Sequence, residues 1–506
     1  MIRCLNKFLF RKTDQWLFWI ITSLFIKGLF FIFLLYKHDY TAIPGFWGGT
    51  GGDTVSYLLP IENFIRNGDY SPDLRMPGYG ILYLPFALLF NKALACNLLI
   101  LLQYIIDALS VYPLALIALY VFKSNKAFYL TFYGYAISTY TSLFDNLLAT
   151  ESFTTSFLIF SVFFLLKSFQ ENNRNVKMHL FLAGLCFTET VFLRPVFIPL
   201  LIVYSVVLVI HFYQHLSIRS ISLRIIILLC PLVFFDGLWI IRNYIRYSRI
   251  IPLTKTIYSP QIENSYLGPL NSFVESWGGN QIYWDPSAEI RWFLPAKTLH
   301  SIAPKLQDKN ISLPGYIYTT EYNNDSLQLL RRQLAVYLAT GTDSLTDSLR
   351  RKDLLAGIRE KCIRYSNSIK HKKPLLYYVG APLLLTKKFL INSGTYNLFN
   401  TPANKLNAIS FCIKIFYSVL YLMIIVLGMM AIFSLSKPSI FFLPPALVTS
   451  IIVYTIAIHP IILRFCEARY FVPAYPFMLI CAVYGGYSIL PHLFKWITGK
   501  INQVVG

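Results

Sequence analysis

The chain has 506 residues, of which 56% are hydrophobic and 14% are charged, and its formal net charge is +21. A soluble chain of this length carries about 25% charged residues, so the composition excludes an ordinary soluble protein and predicts a membrane protein. The positive charge lies between apolar stretches or in one long polar segment, without a recognised nucleic-acid-binding module. It therefore predicts contacts with membrane lipids and not with nucleic acid.

Ten apolar stretches predict membrane-spanning helices. They lie at about 16–36, 94–121, 127–145, 150–167, 179–193, 195–213, 224–241, 408–434, 440–458 and 471–490. Shorter apolar stretches at 81–90 and 374–391 predict interfacial or re-entrant helices. The first stretch is too long for a signal-peptide core and predicts an uncleaved helix. The fold class expected is an all-α polytopic membrane protein with about 10–13 transmembrane helices.

The charges of the short connections predict the orientation. With the N-terminus inside, the inner connections hold fourteen basic and two acidic residues, and the outer ones hold seven basic and eight acidic. The positive-inside rule therefore predicts a cytoplasmic N-terminus. Three domains follow: an N-terminal transmembrane module at 1–241 with an external first loop at 37–93, an external segment at 242–407, and a C-terminal transmembrane module at 408–506.

The external segment shows helical patterning over 326–338 and 344–369, which predicts a mostly helical soluble domain. Of the eight cysteines only Cys362 lies in it, so a disulfide-stapled domain is not expected. This sparse use of cysteine suits a bacterial inner membrane. Neither a CxxC nor an HExxH spacing occurs, so no metal site is expected.

The first external loop contains the first candidate for chemistry. Gly51 and Gly52 precede Asp53, and Tyr57 follows one helical turn later on the same face. A carboxylate beside an aromatic hydroxyl at the membrane surface suits a general base. Aspartate is also a favoured helix N-cap residue, and the spacing leaves both interpretations open.

Other charged residues lie at the predicted outer ends of spans. Glu151 either marks the water boundary or faces the same cavity as Asp53, and Arg194 is either a turn residue or part of that cavity. Arg242 follows the seventh span and Arg469 precedes the last one. Each of these two arginines either snorkels to the surface or clamps a phosphate through its planar fork.

An acidic residue inside a predicted span needs a partner, because an unpartnered charge is costly there. Asp107 and Asp236 are candidates for pairing with Lys27, which lies inside the first span, or for lining a polar pathway. The sequence leaves both alternatives open.

Taken together in chain order, these residues resemble the GT-C superfamily of glycosyltransferases, in the branch of protein O-mannosyltransferases and bacterial lipid A aminoarabinose transferases. The motifs that carry the resemblance are Asp53 and Tyr57 with Gly68-Asp69, Arg75, Pro77 and Tyr79; Thr150-Glu151; Leu193-Arg194-Pro195; Arg242-Asn243-Tyr244 with Ile251-Pro252; Pro374, Tyr377 and Lys387; and Arg469-Tyr470 with Pro473 and Pro476. The chain departs from the pattern at Glu62, where a small residue is usual, and in lacking a second acidic residue beside Asp53.

The resemblance implies a polyprenyl-phosphate-linked sugar donor, no cofactor, no metal, and inverting transfer to an unknown hydroxyl acceptor at the external face of the membrane. In that scheme Asp53 is the catalytic base and Glu151 orients the acceptor or the sugar. The donor phosphate is bound by Arg242, Arg469 or Arg75. The remaining pocket residues implied are Tyr57, Tyr79, Arg194, Asn243, Tyr244, Glu467 and Tyr470.

Two other functions fit parts of the pattern. A transporter or flippase for lipid-linked sugars needs no chemistry, but transporters place their sites near the bilayer midplane and often have related halves, which this chain lacks. A membrane scaffold explains the segment 242–407 and leaves the coincidence of Asp53, Glu151 and Arg469 on one face unexplained.

Overall fold

The computed structural model describes residues 15–37, 43–72, 75–170, 175–253, 265–285, 287–295, 311–340, 345–398, 406–435 and 443–489. These residues are helical almost throughout, with one pair of two-residue strands. The predicted all-α polytopic membrane fold is confirmed.

The elements are numbered in chain order. The α-helices are α1 (Trp16–Lys37), α2 (Thr54–Asn67), α3 (Gly78–Leu89), α4 (Lys92–Phe122), α5 (Asn125–Ala136), α6 (Thr139–Ser142), α7 (Glu151–Ser168), α8 (Val176–Leu193), α9 (Leu200–Phe212), α10 (Ile218–Tyr247), α11 (Leu267–Ser276), α12 (Asn324–Ala339), α13 (Leu345–Lys372), α14 (Ala381–Leu390), α15 (Thr395–Leu398), α16 (Ala408–Leu435), α17 (Leu443–Ile456) and α18 (Tyr475–Tyr484). The strands are β1 (Gly49–Thr50) and β2 (Leu147–Leu148). Shorter 3-10 and π segments are Pro195–Phe197, Glu289–Phe293, Gly315–Ile317, Leu376–Gly380, Ala457–Ile462, Ala468–Ala474 and Gly485–Ile489.

Eight helices in the described part of the chain are long and apolar enough to cross a membrane. They are Trp16–Tyr36, Lys92–Phe122, Glu151–Ser168, Val176–Leu193, Pro195–Phe212, Ile218–Tyr247, Ala408–Leu435 and Leu443–Ile462. Each coincides with one of the ten predicted stretches. The short apolar helix expected at 81–90 is α3, of 12 residues.

The prediction of one spanning helix over 127–145 is wrong. α5 ends at Ala136, and the chain continues through the four-residue α6 into β2. The residues 138–142 read Ser-Thr-Tyr-Thr-Ser, and such hydroxyl side chains compete with helical backbone hydrogen bonds. The stretch at 471–490 contains the ten-residue α18, which follows a 3-10 segment that includes Pro473.

The chain forms two compact units. Unit 1 comprises Met1–Lys255, Ser393–Tyr454 and Val472–Gly506, and unit 2 comprises Thr256–Asn392 and Thr455–Phe471. Unit 2 takes in the central part of the predicted external segment 242–407, and its location outside the membrane stays a prediction.

A buried ion pair fastens the membrane helices of unit 1. The Lys27 ammonium of α1 donates to the Asp107 carboxylate of α4 and, at 2.8 Å, to the Ser142 hydroxyl. The Tyr135 hydroxyl donates to the same carboxylate at 2.9 Å. The predicted pairing of Lys27 is therefore confirmed for Asp107, whereas Asp236 accepts from the backbone N–H of Leu253 at 3.0 Å.

Unit 2 has its own apolar core, built mainly by α11, α12 and α13. The Phe273 ring of α11 packs edge-on against Tyr322 and Tyr365, with centroids 5.5 and 5.6 Å away. The helices predicted over 326–338 and 344–369 are confirmed as α12 and α13.

Candidate active site

A short parallel ladder joins the first loop to the start of α7. β1 and β2 pair with Thr50 opposite Leu148. Asp53 follows Thr50 by three residues and Glu151 follows Leu148 by three, so the register carries both carboxylates beyond the same end of the ladder. The Thr54 hydroxyl donates to the Leu148 carbonyl at 3.0 Å, which ties α2 to β2.

Two glycines allow this part of the first loop to approach its neighbours. A Cβ at Gly48 would lie 2.4 Å from the carbonyl oxygen of Asn146, beside the ladder. A Cβ at Gly78 would lie 2.8 Å from the backbone carbon of Phe192, near the end of α8. Since both obstacles are backbone atoms, only glycine fits at these positions.

Asp53 occupies the N-cap position of α2, but its side chain makes no capping hydrogen bond. Instead, Arg75 Nη2 donates to Asp53 Oδ1 at 2.6 Å, and Arg75 Nε donates to Ser56 Oγ at 3.0 Å. The Arg75 and Asp53 side chains are 32% and 31% exposed. The carboxylate is therefore held in one orientation while it remains accessible from solvent.

Glu151 and Arg194 form a second ion pair, and this one is buried. Arg194 Nη2 donates to Glu151 Oε1, and Arg194 Nε donates to Thr150 Oγ1 at 3.1 Å. The side chains are 1% exposed for Glu151 and 9% for Arg194. The interpretation of Glu151 as a water-boundary residue is therefore wrong, and Arg194 is more than a turn residue.

The Tyr57 side chain lies among both ion pairs. The Arg75 guanidinium lies over its ring, 4.7 Å from the centroid. Burial raises the pKa of the Tyr57 hydroxyl, Arg75 and Arg194 oppose that rise, and Glu151 and Asp53 add to it. All four charged groups thus act electrostatically on a single phenol, which places the first-loop motif and the Thr150-Glu151 and Arg194-Pro195 motifs in one cluster.

Tyr79 extends this cluster into the protein. Its ring packs against Tyr57 with the centroids 5.0 Å apart, and against Phe153 of α7 at 6.0 Å. The side chain is 1% exposed, and burial raises the pKa of its hydroxyl. That hydroxyl donates to Gln103 Oε1 at 2.8 Å.

The C-terminal end of α10 contacts the first loop just beyond α2. Arg242 donates through Nη2 to the Tyr70 carbonyl and through Nη1 to Asn243 Oδ1 at 2.8 Å, and it lies 5.0 Å from the Trp239 ring centroid. Asn243 is 2% exposed. Tyr244 is 58% exposed, so it lies outside this packed group.

Arg246 joins the same contact, although it is not among the predicted site residues. It forms an ion pair with Asp69 at 2.8 Å and donates to Ser71 Oγ at 3.0 Å. The Ser71 hydroxyl, followed by Arg246, lowers the pKa of the Asp69 carboxyl. The available signal was the one-turn spacing from Arg242, because residues i and i+4 share a helix face.

The remaining predicted site residues lie in unit 2. Arg469 Nε pairs with Glu467 Oε1 at 2.7 Å, and the Arg469 guanidinium lies 5.4 Å from the Tyr470 ring centroid. The His459 ring stacks on Tyr470 with the centroids 4.8 Å apart. This group belongs to unit 2, whereas the cluster around Tyr57 belongs to unit 1.

The described residues include no group of three or more His, Cys, Asp or Glu side chains placed to hold a metal ion. The cysteines among them are free thiols, and Cys362 is buried in unit 2. The cluster around Tyr57 contains the carboxylates of Asp53 and Glu151, the guanidinium groups of Arg75 and Arg194, and the phenols of Tyr57 and Tyr79.

No protein-family model and no curated protein matches the sequence. Two solved structures are similar to the chain, each at a TM-score of 0.33. One is the archaeal oligosaccharyltransferase AglB from Archaeoglobus fulgidus in complex with an inhibitory peptide and a dolichol-phosphate, at 13% identity over 84% of this chain and 58% of that chain. The other is ArnT from Cupriavidus metallidurans in the apo state, at 11% identity over 94% of this chain and 78% of that chain. This chain thus spans just over half the length of AglB.

Proposed function

We propose that this protein is a membrane glycosyltransferase of the GT-C type. In this proposal it transfers a sugar from a polyprenyl-phosphate donor to a hydroxyl acceptor, with inversion, at the external face of a bacterial inner membrane. The observation that carries the proposal is the Asp53–Arg75 pair, an oriented and solvent-accessible carboxylate beside a dense group of charges and phenols.

Asp53 is the general base. Its carboxylate takes the proton of the acceptor hydroxyl as that oxygen forms a bond to the anomeric carbon. The bond between the anomeric carbon and the phosphate oxygen breaks, and its electron pair leaves with the lipid phosphate. The Arg75 guanidinium holds Asp53 from the side by its 2.6 Å hydrogen bond, so the base is positioned before the acceptor arrives.

Arg242 is the cation assigned to the donor phosphate. The three other arginines of the predicted site, Arg75, Arg194 and Arg469, are each paired with a carboxylate. Among the described residues, Arg242 donates hydrogen bonds only to uncharged acceptors, the Tyr70 carbonyl and the Asn243 amide. Asp69, which is paired with Arg246, also acts on the Arg242 charge, but without a hydrogen bond among the described residues. A fixed guanidinium that is hydrogen-bonded to uncharged acceptors stabilises the negative charge that develops on a departing phosphate.

Glu151 takes a positioning role in this proposal. A carboxylate that is 1% exposed and paired with Arg194 is out of reach of a bulky acceptor. Its fixed negative charge instead acts on the Tyr57 hydroxyl and contributes to the electrostatic environment of the first-loop residues. This separates the two carboxylates: Asp53 for proton transfer and Glu151 for support.

A donor panel tests the proposal. The purified full chain is incubated with undecaprenyl-phosphate-linked hexoses and pentoses, and release of undecaprenyl phosphate is measured in the presence of hydroxyl acceptors. We expect turnover of at least one donor, and a rise in the donor KM for Arg242→Gln. Arg249→Gln is the matched control, because Arg249 is exposed and lies just beyond the end of α10. Binding of donors without release of phosphate contradicts the proposal and favours a transporter.

A further inference from the structure

The side-chain amide of Gln103 makes hydrogen bonds both to Tyr79 of α3 and to the backbone segment that leads through β2 to Glu151. Gln103 lies in the membrane helix α4 and is 0% exposed. Its Nε2 donates to the carbonyls of Phe144, Asp145 and Leu147 at 3.1, 3.0 and 2.8 Å, and its Oε1 accepts from the Tyr79 hydroxyl at 2.8 Å. Carbonyls only accept, so the orientation of the amide is fixed by its partners.

The three carbonyls belong to the non-helical stretch that leads into β2 and then to Glu151. Buried backbone carbonyls outside helices need donors, and two of these three also accept within the stretch: Phe144 from the Leu147 N–H at 3.3 Å and Leu147 from the Ala149 N–H at 2.8 Å. Gln103 supplies two amide hydrogens to this group. It therefore fixes the course of the segment that determines where Glu151 and Thr150 lie.

The fourth hydrogen bond joins Gln103 to Tyr79, on the side of the Asp53–Arg75 pair. Tyr79 follows Arg75 by four residues, in the first turn of α3, and its ring packs against Tyr57. Movement of Tyr79 therefore displaces both the Tyr57 ring and the chain that carries Arg75. Since one amide holds Tyr79 and the β2 segment together, it sets the distance between the two ion pairs.

Resting on the proposed function, we infer that Gln103 is a positioning residue that aligns the Asp53–Arg75 pair with the Glu151–Arg194 pair for sugar transfer. The Gln103 side chain donates to or accepts from neither ion pair and acts through Tyr79 and the β2 segment, while its backbone carbonyl accepts from Ser152 Oγ of α7 at 3.5 Å. Small displacements of a reacting group reduce rates by about 100-fold in oriented sites.

Three variants distinguish the hydrogen bond to Tyr79 from the hydrogen bonds to the three carbonyls. Tyr79→Phe removes the hydroxyl and keeps the ring, so it breaks only the bond to the Gln103 Oε1. Gln103→Glu keeps that acceptor and the size of the side chain, but it faces the three carbonyls with a group that lacks the amide donors. Gln103→Leu removes both connections. Tyr104→Phe is the matched control, because the neighbouring Tyr104 hydroxyl donates to the Leu24 carbonyl at 2.7 Å and bonds to neither Tyr79 nor the three carbonyls.

Turnover of the active undecaprenyl-phosphate sugar is the first readout. We expect kcat to fall by about 10- to 100-fold in Tyr79→Phe and in Gln103→Glu, with the donor KM within about threefold of wild type. The Tyr79→Phe/Gln103→Leu double variant is expected to be no slower than Gln103→Leu alone, because Gln103→Leu already breaks the connection that Tyr79→Phe breaks. Additive losses, or losses equal to that of Tyr104→Phe, overturn the inference.

Hydrogen exchange of the full chain is the second readout and needs no donor. Tyr79→Phe keeps the ring contacts and removes only the hydroxyl that bonds to Gln103, so it is expected to speed exchange of the Leu147 and Ala149 amides through the Gln103 amide. Tyr104→Phe is expected to leave them unchanged. Unchanged exchange in Tyr79→Phe and Gln103→Leu overturns the inference even where wild-type turnover upholds the proposed function. Faster exchange without turnover of any donor supports the coupling through Gln103 and rejects the function.

Discussion

Replacement of Arg194 by methionine removes one partner of the buried Glu151–Arg194 pair and leaves the Glu151 carboxylate, which is 1% exposed, without its cation. Loss of one partner of a buried pair costs about 3–5 kcal/mol. The lost hydrogen bond from Arg194 Nε to Thr150 adds about 0.5–1.5 kcal/mol. We therefore expect the free energy of unfolding to fall by roughly 4–6 kcal/mol.

The measurement is equilibrium unfolding of the purified full chain in detergent micelles. Glu151→Gln combined with Arg194→Met removes both charges, so this double variant is expected to recover most of the loss. Arg246→Met is the matched control, because its pair with Asp69 is about half exposed and its loss is expected to leave the unfolding midpoint unchanged. An Arg194→Met variant within about 1 kcal/mol of wild type would refute the reasoning, since that is the range of a surface pair.

Two further predictions concern the packing of helices in unit 1 and the titration of a carboxyl group in unit 2. Gly184→Ala is expected to lower stability by about 1–3 kcal/mol, because a Cβ there would lie 2.1 Å from the Leu228 carbonyl oxygen of α10. Gly237 lies on α10 itself, and a Cβ there would meet nothing within 4 Å, so Gly237→Ala is expected to be neutral or slightly stabilising. Equal effects of the two changes would reject the close packing of Gly184 against α10. In unit 2, burial raises the pKa of Glu275 to about 8, against the opposing charge of Arg464. The folded chain thus keeps a proton that the unfolded chain releases above about pH 4.5, so stability falls as pH rises from there to about 8. Glu275→Gln is expected to remove this slope in unfolding measurements between pH 5 and 8, and an unchanged slope would assign it to other groups.

The membrane helices were predictable because a span requires a long apolar run, and eight such runs became helices of that length. The same criterion wrongly predicted a single spanning helix over 127–145. The apolar content of this stretch is high, but the run from Ser138 to Ser142 ends the helix early, and hydropathy does not register competition by hydroxyl groups for the backbone.

The candidate site was predictable in its residues and not in its pairings. Asp53, Glu151 and Arg194 were recognisable because each belongs to a motif of the family that the chain resembles. Their partners lie 22 residues apart for Asp53 and Arg75 and 43 residues apart for Glu151 and Arg194. The ladder that brings them together is two residues long, too short to leave a periodic pattern.

The N-cap of α2 also shows that the sequence predicted a backbone position but not the contact of its side chain. Aspartate at the start of α2 correctly predicted the N-cap position of Asp53. The capping hydrogen bond is absent because Arg75 takes the carboxylate instead. A local propensity predicted the backbone, and a contact distant in sequence decided what the side chain does.

The most direct measurement compares transfer by wild type, Asp53→Asn and Glu62→Gln. Glu62 lies on α2, the helix that begins just after Asp53, and is paired with Lys92 at 2.8 Å, so its variant controls for loss of a paired carboxylate. With undecaprenyl-phosphate sugars as donors, we expect wild type and Glu62→Gln to release undecaprenyl phosphate at similar rates. Asp53→Asn is expected to bind the donor and lose at least about 100-fold in transfer rate. Full transfer by a normally expressed Asp53→Asn variant would contradict the account.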